Sequence, residues 1–164
     1  LYVEKFNVLQ HPEYTEQLCR EFAEHFKDKG IQTVIGPATG GIILSQVTGR
    51  LLGVRSIFTE RENGKMTLRR GFHIEPGEKV LIVEDIVTTG GSIKEVVDVV
   101  NKAHGDIVGI GLFVDRSGGT ADFGVPKEKV FPLLHLTVPT YKPEECPLCK
   151  QGVPITERGS HHLK

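Results

Sequence analysis

The stretch Val80-Leu-Ile-Val-Glu-Asp-Ile-Val-Thr-Thr-Gly-Gly-Ser92 decides how the rest of the chain is interpreted. It opens with an apolar run to Val83, which is typical of a strand buried on both faces of a sheet. Two acidic residues follow, and then two glycines that allow the backbone to turn tightly. A helical pattern begins at Ser92, so the stretch predicts a strand, a glycine turn and a helix in direct succession.

Two segments on the N-terminal side repeat this alternation of strand and helix. An apolar residue every fourth position predicts a helix that Gly30 ends, and its apolar residues are Tyr14, Leu18, Phe22 and Phe26. A short apolar strand at Thr33–Ile35 runs into the glycine loop Gly36–Gly41. The helical pattern Ile42–Leu52 follows and ends at Gly53.

Three further strands extend the pattern, at Val54–Phe58, Lys79–Val83 and Ile107–Val114, and the helix Ser92–Ala103 lies between the last two. Alternating strands and helices predict an α/β fold in which helices cover both faces of a parallel sheet. The polar segment Thr59–Gly77 predicts a long mobile loop or a hairpin. From Pro139 onward the chain is rich in proline, and we expect it to be irregular.

Size and charge limit the possible classes of protein. With 164 residues, 38% of them hydrophobic, the chain fits one domain over residues 1–164. A net charge of −1 gives no general attraction to nucleic acid or to an anionic membrane, and no apolar run is long enough to span a bilayer. Three cysteines make a poor disulfide framework. We therefore expect a cytoplasmic protein with no nucleic-acid or membrane partner.

The chain begins at Leu1 within a strand-like pattern that runs to Val8, and we expect further residues before it. Lys5 falls in this pattern, where a single lysine usually faces solvent.

The acidic pair and the glycine turn suggest a binding site. Ligands of open parallel sheets lie at the carboxyl ends of the strands, and the turn there offers backbone N–H groups, a helix N-terminus and the hydroxyls of Thr88, Thr89 and Ser92. Such a turn suits a phosphate. The adjacent carboxylates of Glu84 and Asp85 suit a ribose, which has two hydroxyl donors and a C1 that becomes cationic when its leaving group departs. An ordinary turn beside two solvated carboxylates is an equally good interpretation of the turn alone.

Two other nucleotide-binding loops do not fit this sequence. The pattern G-x-x-x-x-G-K-[ST] is absent, and Gly109-Ile-Gly111 lies within a predicted strand without a third glycine at the required place.

The complete run Val80–Ser92 resembles the signature of type I phosphoribosyltransferases for phosphoribosyl pyrophosphate (PRPP). Three other segments are similar to the orotate phosphoribosyltransferase family: Tyr2–Phe6, Gly36–Gly41 and Val114–Gly118. The resemblance implies transfer of the phosphoribosyl group of PRPP to orotate, giving orotidine 5′-monophosphate and pyrophosphate in pyrimidine biosynthesis. It also implies a homodimer with shared active sites, and Mg²⁺ that bridges PRPP oxygens without a dedicated protein metal site.

The resemblance also assigns roles to individual residues. Glu84 and Asp85 would hold the ribose hydroxyls, Thr88 to Ser92 the 5′-phosphate, and the loop ending at Gly41 the pyrophosphate. The residues implied to contact PRPP are Ala38, Thr39, Gly40, Gly41, Glu84, Asp85, Ile86, Val87, Thr88, Thr89, Gly90, Gly91 and Ser92.

The base and the leaving pyrophosphate have their own implied partners. Arg116 would face the orotate carboxylate, with Thr88 and Lys5 nearby. Arg61 and Lys65 would neutralise the departing pyrophosphate in the partner's site, so that the implied catalytic residues are Glu84, Asp85, Lys65 and Arg61. Gly40 stands where the family usually has a lysine, and Arg69 or Arg70 would compensate for that missing charge.

Two other functions remain open on the same fold: transfer to a purine base, and PRPP or nucleotide sensing without catalysis. Arg116 favours an acidic base over a neutral purine. Cys146-Pro-Leu-Cys149 has the spacing of a zinc knuckle, but a structural zinc needs four ligands, and His161 and His162 are the only nearby candidates. We therefore expect no protein metal site.

Overall fold

A computed structural model describes residues 3–138, 141–142 and 144–154. Five α-helices and six strands occur in these residues. The helices are α1 Phe6–Leu9, α2 Pro12–Phe26, α3 Gly40–Leu52, α4 Gly91–Lys102 and α5 Pro147–Lys150. The strands are β1 Thr33–Pro37, β2 Arg55–Glu62, β3 Lys65–Leu68, β4 Lys79–Val87, β5 Asp106–Asp115 and β6 Val130–His135.

The six strands form one sheet in the order β3-β2-β1-β4-β5-β6, and only the β2–β3 pair is antiparallel. Side chains alternate between its two faces. Ile35 and Ile82 belong to the core that contains α4, whereas Val34 and Leu81 belong to the core that contains α2 and α3. The predicted α/β fold, a mostly parallel sheet with helices on both faces, is thus confirmed.

The glycines of β5 let helix α2 pack closely on the sheet. A Cβ at Gly109 would lie 2.2 Å from the Phe26 ring, and one at Gly111 would lie 2.8 Å from the Phe22 ring. These glycines are packing positions inside a strand, as their sequence context indicated.

The described residues divide into two compact units. One runs from Glu4 to Leu136 and contains the whole sheet, and the other comprises Val3 and the described residues from Thr137 onward. The single domain expected over residues 1–164 stays a prediction. Among the residues that the structure describes, no helix has the length and apolarity needed to cross a membrane.

Several local predictions were wrong. The first described residues do not form a strand. Lys5 directly precedes helix α1, and its backbone already has helical angles, which a strand excludes. Tyr14 is 50% exposed, and the buried side of α2 is made instead by Thr15, Cys19, Phe22, Ala23 and Phe26.

The polar segment Thr59–Gly77 contains an ordered hairpin, in which Thr59 pairs with Leu68 and Glu62 with Lys65. The hairpin alternative holds for residues 59–68, because β2 continues past Phe58 and pairs with β3. The rest of the segment connects β3 to β4 without a strand or a helix. Helix α5 interrupts the region expected to be irregular, and strand β6 was not predicted.

Candidate active site

Three loops meet at the carboxyl edge of the sheet. They follow β1, β4 and β5, which are neighbours in the sheet, and β1 and β4 flank the point where the strand order reverses. Open α/β sheets bind their ligands in the crevice at such a point. The predicted PRPP residues and Arg116 all lie on these loops or on the strand and helix ends that they join.

The loop after β4 is built to leave its polar groups open to a ligand. Gly90 has a left-handed φ of 82°, which favours glycine, and helix α4 begins at the next residue. Thr88, Thr89, Gly91 and Ser92 are exposed, and no side chain caps α4. Its first backbone N–H groups and these hydroxyls can therefore bind a phosphate.

Asp85 is buried beside the glycine turn and has an unusual set of partners. Its Oδ1 accepts a 2.6 Å hydrogen bond from the backbone N–H of Ile86. Its Oδ2 lies 2.7 Å from Nζ of Lys5, but without hydrogen-bond geometry, so this buried oxygen lacks a hydrogen bond among the described residues. An oxygen in this condition is suited to accept a hydrogen bond from a ligand.

Glu84 is also buried, and its Oε1 accepts a 3.0 Å hydrogen bond from the backbone N–H of Asp85. Burial, and then the neighbouring charge of Asp85, raise the pKa of Glu84 to about 8, whereas the Asp85 amide and Lys5 act in the opposite direction. These surroundings therefore favour one negative charge on the pair over two.

The loop after β1 packs directly against Asp85. A Cβ at Gly40 would lie 1.7 Å from Asp85 Oδ2, so no larger residue fits there with Asp85 in this position. Gly40 and Gly41 are buried, while Ala38 and Thr39 are exposed. This loop is thus held against the acidic pair and still offers its tip to a ligand.

Arg116 follows β5 directly, and its backbone N–H donates a 2.8 Å hydrogen bond to the carbonyl of Val87. This bond brings Arg116 to the start of the Thr88 loop. Val87 itself is buried and Ile86 is half-buried, so these two predicted PRPP residues belong to the strand more than to the open surface of the loop.

Sequence reasoning missed Asp115, which shapes the loop that carries Arg116. Its carboxylate accepts hydrogen bonds from the Ser117 amide (2.7 Å), the Ser117 hydroxyl (2.6 Å) and the Gly119 amide (3.2 Å), and His135 Nδ1 lies 3.3 Å away. Burial alone would raise the pKa of Asp115, but the bonds from Ser117, the nearby His135 and the bond from Gly119 together lower the pKa below its ordinary value. The D-x-S pattern of an Asx turn was the available signal.

Phe123 joins this loop to the glycine turn. A Cβ at Gly90 would lie only 2.9 Å from the Phe123 ring, so the two loops are in close contact. Asp115, Phe123 and His135 also line a cavity of about 230 Å³ behind the loop. Nothing in the sequence indicated this contact.

The predicted catalytic cations, Arg61 and Lys65, lie on the β2–β3 hairpin, whereas the acidic pair lies on β4. Arg61 donates two 2.8 Å hydrogen bonds to the carboxylate of Glu95 on α4, and Lys65 is exposed at the start of β3. Arg70 binds Glu60, and Arg69 lies 3.2 Å from Glu62. Each hairpin arginine thus has a carboxylate partner within the chain.

Known proteins resemble this chain over nearly its whole length. The family model for the phosphoribosyl transferase domain matches residues 7–128. A protein of Desulforamulus reducens called orotate phosphoribosyltransferase is 56% identical over 99% of this chain and 83% of its own length.

The chain belongs to the orotate phosphoribosyltransferase family. A protein of this name from Pelotomaculum thermopropionicum is 57% identical over 95% of this chain and 80% of its own length. One from Thermotoga maritima is 52% identical over 99% of this chain and 86% of its own length. The family resemblance found in the sequence is confirmed.

Solved structures show that the fold extends beyond the orotate phosphoribosyltransferase family. Adenine phosphoribosyltransferase of Trypanosoma brucei has a TM-score of 0.69 at 19% identity, and the match covers 99% of this chain and 79% of that one. UMP synthase of Leishmania donovani has a TM-score of 0.64 at 18% identity, over 82% and 30% of the two chains. At these identities the likeness concerns the fold alone.

Proposed function

We propose that this chain transfers the phosphoribosyl group of PRPP to orotate, giving orotidine 5′-monophosphate and pyrophosphate, a step of pyrimidine biosynthesis. One observation carries the proposal: the buried acidic pair lies between an open phosphate turn and the loop of Arg116. The names of the relatives identify the base, and the guanidinium of Arg116 can form two parallel hydrogen bonds with the carboxylate of orotate.

In this reaction the bond between ribose C1 and the pyrophosphate oxygen breaks, and a bond between C1 and N1 of orotate forms while N1 loses its proton to the leaving pyrophosphate or to water. Positive charge develops on the ribose as the pyrophosphate leaves. Glu84 and Asp85 accept hydrogen bonds from the ribose hydroxyls and stabilise this charge, and because both carboxylates are buried their effect is stronger than it would be in water. The exposed threonine and serine hydroxyls, with the first N–H groups of α4, hold the 5′-phosphate.

The Lys5 side chain makes two successive contacts in the proposed reaction, first with Asp85 and then with orotate. In the structure its ammonium lies against Asp85 and neutralises it. When ribose hydroxyls reach Asp85, Lys5 gives up this contact and turns to the base, where it binds an oxygen of orotate.

Mg²⁺ fits the donors that the site offers. Carboxylate oxygens are suitable ligands, and Asp85 Oδ2 has no hydrogen bond among the described residues. The same residues contain no group of three or more acidic, histidine or cysteine side chains that could hold a metal ion. Glu84 and Asp85 would therefore assist an ion held mainly by PRPP oxygens and water. When bound, Mg²⁺ neutralises charge on the pyrophosphate.

We further propose a homodimer in which the hairpin of one subunit covers the other's active site. Arg61 and Lys65 would there meet the pyrophosphate, together with Arg69 or Arg70. Arg61 must first exchange Glu95 for pyrophosphate oxygens, whereas Lys65 is exposed and needs no such exchange. The three cysteines are free thiols, which suits the reducing cytoplasm.

The test is consumption of a base in the presence of PRPP and Mg²⁺. Orotate, uracil, adenine, hypoxanthine and xanthine are supplied one at a time, and pyrophosphate release is measured together with the nucleotide formed. Orotate alone should be consumed. Consumption of a purine base would make the chain a purine-base enzyme, and PRPP binding without release would make it a sensor.

A further inference from the structure

Two cysteines outside the active site form a pair on helix α5. Cys146 is the residue before the helix, and Cys149 lies three positions later, so a single helical turn separates the two cysteines. The turn is held by a 3.1 Å hydrogen bond from the Lys150 amide to the Cys146 carbonyl. Cys149 is exposed and Cys146 is partly exposed, so both thiols can be reached from solvent.

The two thiols differ in their chemistry. The backbone N–H of Cys149, and then its thiol, donate hydrogen bonds to the sulfur of Cys146 and lower the pKa of Cys146. Donating that hydrogen bond raises the pKa of Cys149. One sulfur is therefore favoured as the thiolate that attacks, and the other keeps its proton.

The described residues do not complete a metal site around this pair. They contain no group of three or more histidine, cysteine or acidic side chains that could hold a metal ion. His161 and His162 lie outside the described residues. Two accessible thiols one helical turn apart are suited to thiol–disulfide exchange, because each sulfur can reach the other.

We propose that Cys146 and Cys149 are a redox-active dithiol that exchanges with small disulfides of the glutathione type. The Cys146 thiolate attacks one sulfur of the disulfide, a mixed disulfide forms and one glutathione thiolate leaves. Cys149 loses its proton to solvent and attacks the Cys146 sulfur, so that an internal disulfide forms and the second glutathione thiolate leaves. Two protein thiols are oxidised, and one disulfide is reduced to two thiols.

The experiment treats the reduced full chain with glutathione disulfide and follows the products by intact mass and peptide mapping. The wild type should lose two hydrogens, at Cys146 and Cys149, without keeping a glutathione adduct. Cys149→Ser should retain the adduct on Cys146, because no second thiol resolves it, while the introduced hydroxyl still donates a hydrogen bond. Cys146→Ser should form an adduct more slowly, by on the order of tenfold, because the more acidic thiol is gone.

Cys19 is an internal control in every variant. It is fully buried, and burial raises the pKa of its thiol to about 11, so it should stay unmodified. Equal rates for Cys146→Ser and Cys149→Ser, or a wild type that keeps its adduct, would overturn the proposal. So would the binding of one Zn²⁺ per two chains tightly enough to block oxidation, because the pair would then be half of a metal site.

Discussion

At the scale of single residues, Glu84 and Asp85 are adjacent in the chain but have different surroundings. Asp85 has a lysine at 2.7 Å, whereas the carboxylate of Glu84 accepts one backbone hydrogen bond and is otherwise buried. The chain thus places a cation beside one carboxylate and disfavours the charge of the other.

Asp85→Asn should lower turnover by roughly 100-fold or more, because it removes charge from the place where the ribose becomes cationic. The melting temperature and circular dichroism of the variant should remain close to those of the wild type. Steady-state assays with orotate and PRPP measure the effect. A turnover within a few-fold of the wild type would reject this residue as part of the ribose site.

Glu84 should make the stability of the ligand-free protein depend on pH. Because its pKa is raised from 4.5 to about 8, the folded protein keeps the Glu84 proton at pH values where the unfolded chain has released it. The free energy of unfolding therefore falls as the pH rises from 4.5 to about 8. Glu84→Gln cannot titrate and should lack this fall. The difference in the free energy of unfolding between Glu84→Gln and the wild type should therefore change between pH 4 and pH 8. The change should favour the variant by at least about 1 kcal/mol.

Urea denaturation at a series of pH values tests the contribution of Glu84. The matched control is Asp98→Asn, a change at an exposed carboxylate on α4. Parallel stability curves for the wild type and Glu84→Gln would mean that Glu84 titrates normally in the folded state.

Arg116→Ala should raise the KM for orotate by about 10- to 150-fold, the cost of a lost charged hydrogen-bond pair. The KM for PRPP should change much less. Arg116→Lys keeps the charge but loses the planar fork, and should give an intermediate value. If both KM values rose equally, Arg116 would be a structural residue of its loop.

At the scale of elements, Glu95 fastens the β2–β3 hairpin to α4. It accepts both hydrogen bonds from Arg61, and a further one of 3.2 Å from the Met66 backbone N–H. Helix α4 thus carries the phosphate turn at its first residues and the hairpin contact one turn later. A change at Glu95 can therefore affect the hairpin without touching the phosphate turn.

Glu95→Ala should increase hydrogen exchange of the hairpin amides in the ligand-free protein, because the hairpin loses its link to α4. The free energy of unfolding should fall by only about 1 kcal/mol or less, since the pair is partly exposed. Asp98→Ala, on the same helix, is the control and should leave hairpin exchange unchanged. Unaltered exchange in Glu95→Ala would show that strand pairing alone orders the hairpin.

The sequence was informative where neighbouring residues determine the structure. The apolar run before Glu84 and the glycines after it define β4, the phosphate turn and the start of α4 by local rules. Contacts between distant residues carry no such signal: Lys5 meets Asp85 and Arg61 meets Glu95 only because the fold brings them together. Strand β6 was missed because it contains Pro132, which is tolerated there since the strand lies at the edge of the sheet.

At the scale of the whole molecule, the proposed dimer predicts complementation between two inactive variants. If Lys65 acts in the partner's site, a dimer of one Lys65→Ala chain and one Asp85→Asn chain contains one site with both defects and one with neither. Unfolding and refolding the two variants together should restore activity, up to about one intact site per heterodimer. Native mass spectrometry confirms that heterodimers formed.

Two controls accompany the complementation experiment. Each variant refolded alone should stay inactive. The two variants mixed without unfolding should also stay inactive until their dimers exchange subunits. Confirmed heterodimers as inactive as their parents would mean that the hairpin serves its own subunit or that Lys65 has no catalytic part.

The contact of Phe123 with Gly90 joins the two substrate loops into one body. A ligand that orders the phosphate turn would also restrict the Phe123 ring and the loop that carries Arg116. Part of the conformational entropy that this loop would lose on binding orotate would then already have been lost. Thermodynamic reciprocity then requires that each substrate raise the other's affinity by the same factor. In the proposed enzyme, a single aromatic ring would thus couple the binding of the two substrates.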